Sequence, residues 1–305
     1  MKYAPIVLFV YKRPEETLKV LEALAANPEA AQSELFVFAD GPKNESDIEK
    51  CLEVRRLVEN FNGFAKITLR TSDKNKGLAN SVISGVSEML TVFDRVIVLE
   101  DDLVTSKYFL RFMNEALDKF ENDDRICCVH AFSYPPVCSE IQYFLRQGAD
   151  CWGWATWRRG WNIFSTDSVK LYEEIIKRKL SKQFDRNGAF PYTKMLKDQS
   201  NGKIDSWAIR WYASAFLKEK YSLQSNVMLV ENIGFGNEAT HCFSNSNYEI
   251  ILANMPVSFD RVLELEPQES FKNYQKFLKK DNIPLIKKCQ IKIENIMKKL
   301  FNFIK

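Results

Sequence analysis

Residues 95–106 read RVIVLEDDLVTS. Val96, Ile97, Val98 and Leu99 form the unbroken apolar run of a strand buried on both faces, and it runs straight into Glu100, Asp101 and Asp102. Three adjacent carboxylates repel one another, and burying even one unpaired charge is costly. A strand ending this way needs a partner for its charge, and the surrounding pattern indicates where that partner comes from.

Upstream, short apolar segments alternate with helical ones. Strands are predicted over 6–11, 35–39, 65–70 and 95–99. Helices are predicted over 14–26, where Pro14 suits a first turn, and over 45–60, 78–90 and 108–120. Ser72 or Asp73 can cap the turn before the third helix, and Thr105 or Ser106 the fourth. This alternation argues for an α/β fold with a mainly parallel sheet covered on both faces. In such sheets ligands bind beyond the carboxyl ends of the strands. Those ends carry Lys12 and Arg13, Asp40, Ser72 and Asp73, and Glu100 to Asp102, a set suited to a charged, metal-bearing ligand.

At 305 residues with a net charge of +3, the chain has the composition of an ordinary globular protein. Its seven cysteines show no metal-ligand spacing and are read as free thiols in a reducing cytosol. The apolar run near the N-terminus is too short for a secretion signal, and no stretch approaches the roughly 18 apolar residues of a membrane span. A cytoplasmic location is expected, and no nucleic-acid partner.

Beyond residue 125 the pattern changes. A strand at 126–129 is followed by the loop FSYPP, the aromatic segment CWGWATWRRGW (151–161), a charged helical stretch at 166–200, and the helix IDSWAIRWYASAFL (204–217). VENIGFGNEATHC (230–242) reads as an irregular loop. The expected division is a ligand-binding half at 1–125, a second half at 126–262 and a helical tail at 263–305. Residues 279–305 hold eight lysines against Asp281 and Glu294, a net of +6. Their apolar residues fall near one helical face. Such a basic amphipathic helix suits either an anionic membrane surface or docking on its own domain.

Alternate side chains of an extended segment share a side, so Glu100 and Asp102 can face one ligand while Asp101 faces another way. Mg²⁺ or Mn²⁺ prefers carboxylate oxygens and keeps several waters when it also holds phosphates. Asp40 suits a base or ribose contact, Arg13 a phosphate or base, and Gly77 in NKGLANSVISG (75–85) a close helix approach to a nucleotide. Trp152, Gly153 and Trp154 offer a platform for a sugar ring. Asp205 beside Trp207 is a candidate general base whose aromatic setting would raise its pKa. His241 is a weaker candidate for a metal or phosphate contact. Each has a plain structural alternative, such as a turn, core packing or a helix cap.

Taken together these residues resemble the GT-A fold glycosyltransferases, especially bacterial family 2-like enzymes and the N-acetylglucosaminyltransferase I group, over most of residues 4–242. VLEDDL resembles their acidic metal-binding motif, FVFADGP the aspartate that reads the base, and YKRP the nearby arginine. CWGWATW resembles the acceptor-side segment, and IDSWAIRW the segment bearing the catalytic base. The resemblance implies a Rossmann-like nucleotide-binding sheet continuous with an acceptor-binding half. It implies metal bound by Asp102 and, through water, by Glu100, with Asp101, Arg13, Asp40, Asp73 and Gly77 around a nucleotide-sugar donor. Asp205 would act as base, and Trp152, Gly153, Trp154 and Trp207 would face the acceptor. The implied reaction is a Mn²⁺- or Mg²⁺-dependent inverting transfer of a hexosyl or N-acetylhexosaminyl group, from a UDP-linked donor to a glycan or lipid-linked glycan. The resemblance further implies a role in cell-surface polysaccharide or lipid-linked oligosaccharide synthesis, in the cytoplasm or peripheral at the inner face of the plasma membrane. AIRW (208–211) only echoes the Q-x-x-R-W of processive synthases, which argues against a polymerising enzyme. The rivals are a sugar-phosphate nucleotidyltransferase, which usually has a glycine-rich loop where this chain has YKRPEE, and a non-catalytic sugar-binding scaffold at a membrane.

Overall fold

The computed structural model describes residues 3–134, 141–234 and 251–281. Strands β1 (Ile6–Val10), β2 (Glu34–Ala39), β3 (Lys66–Thr71) and β4 (Arg95–Glu100) alternate with helices α1 (Pro14–Ala25), α2 (Ile48–Asn60) and α3 (Leu78–Val92). The four strands pair in parallel in the order β3-β2-β1-β4. All five residues of β1 are buried: Ile6, Leu8 and Val10 pack with α1, α2 and β2 on one face. Val7 and Phe9 pack with α3 on the other. That two-sided burial explains the continuous apolar run.

The second half extends the same sheet. Its elements are β5 (Leu103–Thr105), α4 (Phe109–Lys119), β6 (Ile126–His130), β7 (Tyr143–Gln147), β8 (Trp154–Trp157) and α5 (Arg158–Trp161). Then come α6 (Ser168–Lys177), α7 (Ser181–Phe184), α8 (Tyr192–Ser200), α9 (Trp207–Leu217), β9 (Tyr221–Ser225), β10 (Val230–Asn232) and α10 (Gln268–Asp281). The eight-stranded order is β3-β2-β1-β4-β8-β6-β9-β7. Four of its seven strand pairs are parallel; β8 lies antiparallel between β4 and β6, and β7 antiparallel on β9. The fold is thus α/β with a mostly parallel central sheet, continuous across both halves.

Several local expectations shift. The aromatic segment supplies β8, an interior strand. The charged stretch 166–200 divides into three helices, broken where Lys179, Arg186 and Asn187 take positive φ. The start of the expected irregular loop at 230 is β10, paired with β5. Neither Ser72 nor Asp73 caps α3, whose N-cap is Gly77 at φ 77°. Near α4, the Tyr108 amide donates to Ser106 Oγ at 3.1 Å, while Asn27 from the α1–β2 loop accepts from Leu110 N at 2.9 Å.

The boundary drawn at 262 falls inside a docked segment. Leu145 N donates to Glu264 O, and Glu266 N to Leu145 O, both at 2.8 Å. Tyr274, Phe277 and Leu278 of α10 are buried in the main core. The basic stretch from 282 onward lies outside the described residues. Among the described residues no helix is long and apolar enough to cross a membrane. Cys51, Cys127 and Cys128 are buried free thiols.

Candidate active site

The carboxylates at the end of β4 meet a cation supplied by their own chain. Arg13 is the N-cap of α1, and its carbonyl accepts from Thr17 N at 2.9 Å and Thr17 Oγ1 at 2.7 Å. This anchoring leaves the side chain free to cross to β4. Its Nη2 bonds Asp101 Oδ1, and its Nη1 lies 3.2 Å from Asp102 Oδ2. Tyr11 N adds a 3.2 Å bond to Asp101 Oδ2. The expected alternation, with Glu100 and Asp102 facing one ligand and Asp101 turned away, is corrected: β4 ends at Glu100, Arg13 reaches both aspartates, and Glu100 and Asp101 line one cleft. One guanidinium cannot neutralise three carboxylates. Burial, reinforced by Asp102 and Asp101, pushes Glu100 up to about 8. Burial pushes Asp101 up to about 6 despite Arg13, and raises Asp102 as well.

A cleft of about 610 Å³ opens over these residues. Arg13, Lys12, Asp40, Gly77, Glu100 and Asp101 line it, with Phe9 and Phe38 among its apolar walls. Its size lies within the range of small-molecule and cofactor sites. Sequence reading missed the Asp47 side of this cleft. Tyr11 Oη donates to Asp47 Oδ2 at 2.8 Å, and Lys12 Nζ donates to Oδ1 at 2.7 Å. These bonds lower the Asp47 pKa, and burial, with the Asp47 bond, pushes Tyr11 up to about 12.

Asp40 does line the cleft, but its carboxylate is already filled. Gly41 N and Lys76 N donate to Oδ1, both at 2.8 Å, while Gly77 N at 3.0 Å and Asn75 Nδ2 at 3.2 Å donate to Oδ2. These four donors match the roughly four lone-pair sites of a carboxylate, so Asp40 shapes the loop that opens α3. Asp73 is exposed in that loop and does not line the cleft.

A second cavity, of about 200 Å³, is lined by Asp150, Cys151, Trp152, Tyr134, Arg146, Arg186, Tyr192 and Tyr274, with parts of α9. Pairing of Val98 with Trp154 between antiparallel β4 and β8 brings residues 150–152 to the sheet edge that carries Glu100–Asp102. Asp150 was not singled out from sequence. Its Oδ2 accepts from Tyr134 Oη, its Oδ1 accepts from Cys151 N at 2.8 Å, and its side chain stays 18% exposed. Behind it lies His130, fully buried. Trp152 N donates to His130 Nε2 at 3.3 Å, so the proton sits on Nδ1, 2.8 Å from Gln224 Oε1. Burial lowers the His130 pKa and keeps the ring neutral, although Asp150 Oδ1 lies 3.6 Å from Nε2. The available sequence signal for Asp150 was its position just before the aromatic segment.

The aromatic platform is corrected. Trp154 and Trp207 are 1% and 3% exposed and stack at 5.4 Å in a core cluster with Trp161 and Trp211, so neither can offer a face to a sugar. Gly153 takes φ 64° against Val230 and Phe109. Of the four residues, Trp152 alone lines the cavity. Asp205 is corrected in its setting too. Its side chain is 59% exposed, pairs with Arg210 Nη2 at 3.0 Å and lines neither cavity. Ser206 is the N-cap of α9. His241 lies outside the described residues.

Among the described residues no group of three or more His, Cys, Asp or Glu is arranged to hold a metal ion. A divalent ion that shares a diphosphate needs fewer protein ligands, and Glu100 and Asp102 are the hard oxygen donors it prefers. Two observations fit such an ion. Besides burial, the charges of Asp102 and Asp101 raise the Glu100 pKa, a repulsion that a bound cation would relieve. A Cβ at Gly234 would lie 2.3 Å from Asp102 Oδ2, so only glycine leaves that carboxylate its space.

No family model and no curated protein matches the chain. Solved structures do overlap it. TarS of S. aureus has 12% identity and a TM-score of 0.40, over 75% of this chain and 36% of its own. The UDP-glucose pyrophosphorylase complexed with UDP-glucose has 11% identity and a TM-score of 0.39, over 75% and 91%. The mannosyltransferase PcManGT from Pyrobaculum calidifontis, in complex with GDP-Man and Mn²⁺, has 16% identity and a TM-score of 0.32, over 44% and 37%. The chain spans 36% of the TarS chain and 60% of its 1–349 form.

Proposed function

We propose that this chain is a glycosyltransferase that moves a sugar from a nucleoside-diphosphate donor to an acceptor hydroxyl, with inversion. The observation that carries the reading is the pairing of two cavities at one sheet edge. One is lined by Arg13, Lys12, Glu100 and Asp101, and the other by Asp150.

In this mechanism the donor lies in the larger cleft, its phosphates near Lys12 and Arg13. Mn²⁺ or Mg²⁺, when held by Glu100 and Asp102, supplies positive charge for the leaving diphosphate. The acceptor hydroxyl attacks the anomeric carbon as the bond to the diphosphate oxygen breaks. Asp150 takes the hydroxyl proton. Tyr134 and the Cys151 amide hold its carboxylate in place, and neutral His130 fixes the Trp152 backbone beside it. Asp150 serves as base better than Asp205, because a general base must come within hydrogen-bond reach of the substrate proton. Asp205 lines neither cavity.

The test is release of nucleoside diphosphate from a panel of nucleotide sugars, UDP- and GDP-linked, hexosyl and N-acetylhexosaminyl, with and without Mn²⁺. Acceptor-dependent release supports the reading. Formation of nucleoside triphosphate from a nucleotide sugar and pyrophosphate would identify a nucleotidyltransferase instead. Neither reaction with any donor would overturn both.

A further inference from the structure

The smaller cavity contains a cation that the proposed reaction leaves unused. Two arginines line it. Arg146 is matched: its Nε and Nη2 bond Glu266 Oε1 at 2.9 and 2.6 Å. Arg186 is not. It is 6% exposed, forms no ion pair among the described residues, and its Nε is buried without a hydrogen-bond partner. Its one bond runs from Nη2 to the Gln147 carbonyl. The rings of Tyr212 and Tyr274, 5.0 and 5.7 Å away, offset part of the cost of its burial. The carboxylate that acts on it, Glu266, is bonded to Arg146 and makes no ion pair with Arg186, so the buried guanidinium is only partly compensated.

The backbone is bent to keep this side chain there. Arg186 and Asn187 take φ of 52° and 58°, a region that side chains other than glycine visit uncommonly. Gln275 of α10 donates to the Arg186 carbonyl at 2.7 Å and clamps the turn. Tyr134, Trp152, Tyr192 and Tyr274 line the same cavity, and their rings suit the apolar C–H faces of a sugar. At about 200 Å³ the cavity is a third of the donor cleft, which suits a sugar ring and excludes a nucleotide.

We infer that the acceptor sugar is anionic, with a carboxylate or phosphate seated on Arg186. This rests on the glycosyltransferase reading of the cavity and names its substrate class. Asp150 repels the anion from its own end of the ligand. A sugar held by its charge at Arg186 therefore turns a neutral hydroxyl toward Asp150.

Ligand-observed NMR on the full chain tests the inference, with glucuronate, glucose 6-phosphate and glucose as probes. Both charged sugars should bind at least about tenfold more tightly than glucose, the fold-change expected for a charge-assisted hydrogen bond. The tighter of the two identifies the anion. Arg186→Gln should abolish the preference and Arg186→Lys should keep part of it. Should Arg186→Gln not fold, competition by inorganic phosphate against the charged probe on the wild type provides the same reading. Equal binding of all three probes, an undiminished preference in Arg186→Gln, or no competition by phosphate would overturn it. A parallel titration with UDP and GDP separates the two proposals. Nucleotide binding without charge preference removes the anion seat alone, whereas charge preference without nucleotide binding removes the donor reading.

Discussion

Arg13 spans two adjacent carboxylates, bonding Asp101 through one guanidinium nitrogen and approaching Asp102 through the other at 3.2 Å. The acidic end of β4 is thus held by a counter-ion from β1's own turn before any ligand arrives. Breaking a buried ion pair by removing one partner typically costs about 3–5 kcal/mol. Arg13→Met should therefore lower unfolding free energy by roughly 3 kcal/mol at pH 8. The loss should shrink at pH 5.5, where the exposed need for a cation is met by protonation. Urea denaturation at the two pH values measures both, and equal stability of variant and wild type at pH 8 would remove Arg13 from this role.

His130 gives a pH dependence of known sign. Burial holds its folded pKa below the ordinary value near 6.5, so between those values the unfolded chain binds a proton that the folded chain does not. Its contribution to stability is present above about pH 6.5 and lost as pH falls below it. Glu100 and Asp101, raised to about 8 and about 6, act in the opposite direction, favouring the folded state as pH falls through those values. Comparison of wild type with His130→Gln isolates the histidine. The variant should show a flatter loss of stability from pH 7 to pH 5, and parallel curves would mean that His130 stays neutral in neither state or both.

The first four strands were legible because two-sided burial writes itself as an apolar run, as in Ile6–Val10. The acidic end of β4 was legible because burying adjacent carboxylates needs a reason. The second half was harder to read, since β7, β8 and β10 are three to five residues long and pair with segments far away in sequence. Tryptophan identity could not separate a core pillar from a sugar platform. Simple alternation would place Trp152 and Trp154 on the same side; β8 begins only at Trp154, and Gly153 between them takes φ 64°, a backbone turn that residue identity does not reveal. Asp150 carries no pattern beyond its place just before the aromatic segment; its surroundings, Tyr134 and His130, are brought to it by the sheet.

The burial of Trp154 makes a separable prediction. It stacks on Trp207 at 5.4 Å and packs near Trp161 and Trp211. Trp154→Phe should lower stability by about 1–3 kcal/mol, the usual range for a poorly filled core. The acceptor KM should stay unchanged. A Trp152→Ala variant should show the reverse, a raised acceptor KM with a smaller loss of stability. Thermal unfolding and acceptor titrations distinguish the two, and a raised acceptor KM in Trp154→Phe would return that ring to the substrate.

Asp150 and Asp205 compete for the role of base, and substitution separates them. Removing a general base typically costs about 10²- to 10⁴-fold in rate. Asp150 faces a cavity, and its carboxylate is held at both oxygens by Tyr134 and Cys151 N. Asp205 is an exposed residue paired with Arg210, and surface pairs contribute about 0–1 kcal/mol. Asp150→Asn keeps the shape and much of the hydrogen bonding while removing the proton acceptor. It should lose transfer by at least about a hundredfold with nucleotide affinity unchanged. Asp205→Asn should transfer within a few-fold of wild type and unfold at nearly the same temperature. Rates under single-turnover conditions, alongside nucleoside diphosphate binding, measure the chemical step apart from product release. If Asp205→Asn loses transfer while Asp150→Asn retains it, the base lies at the start of α9 and the smaller cavity does not hold the reacting hydroxyl.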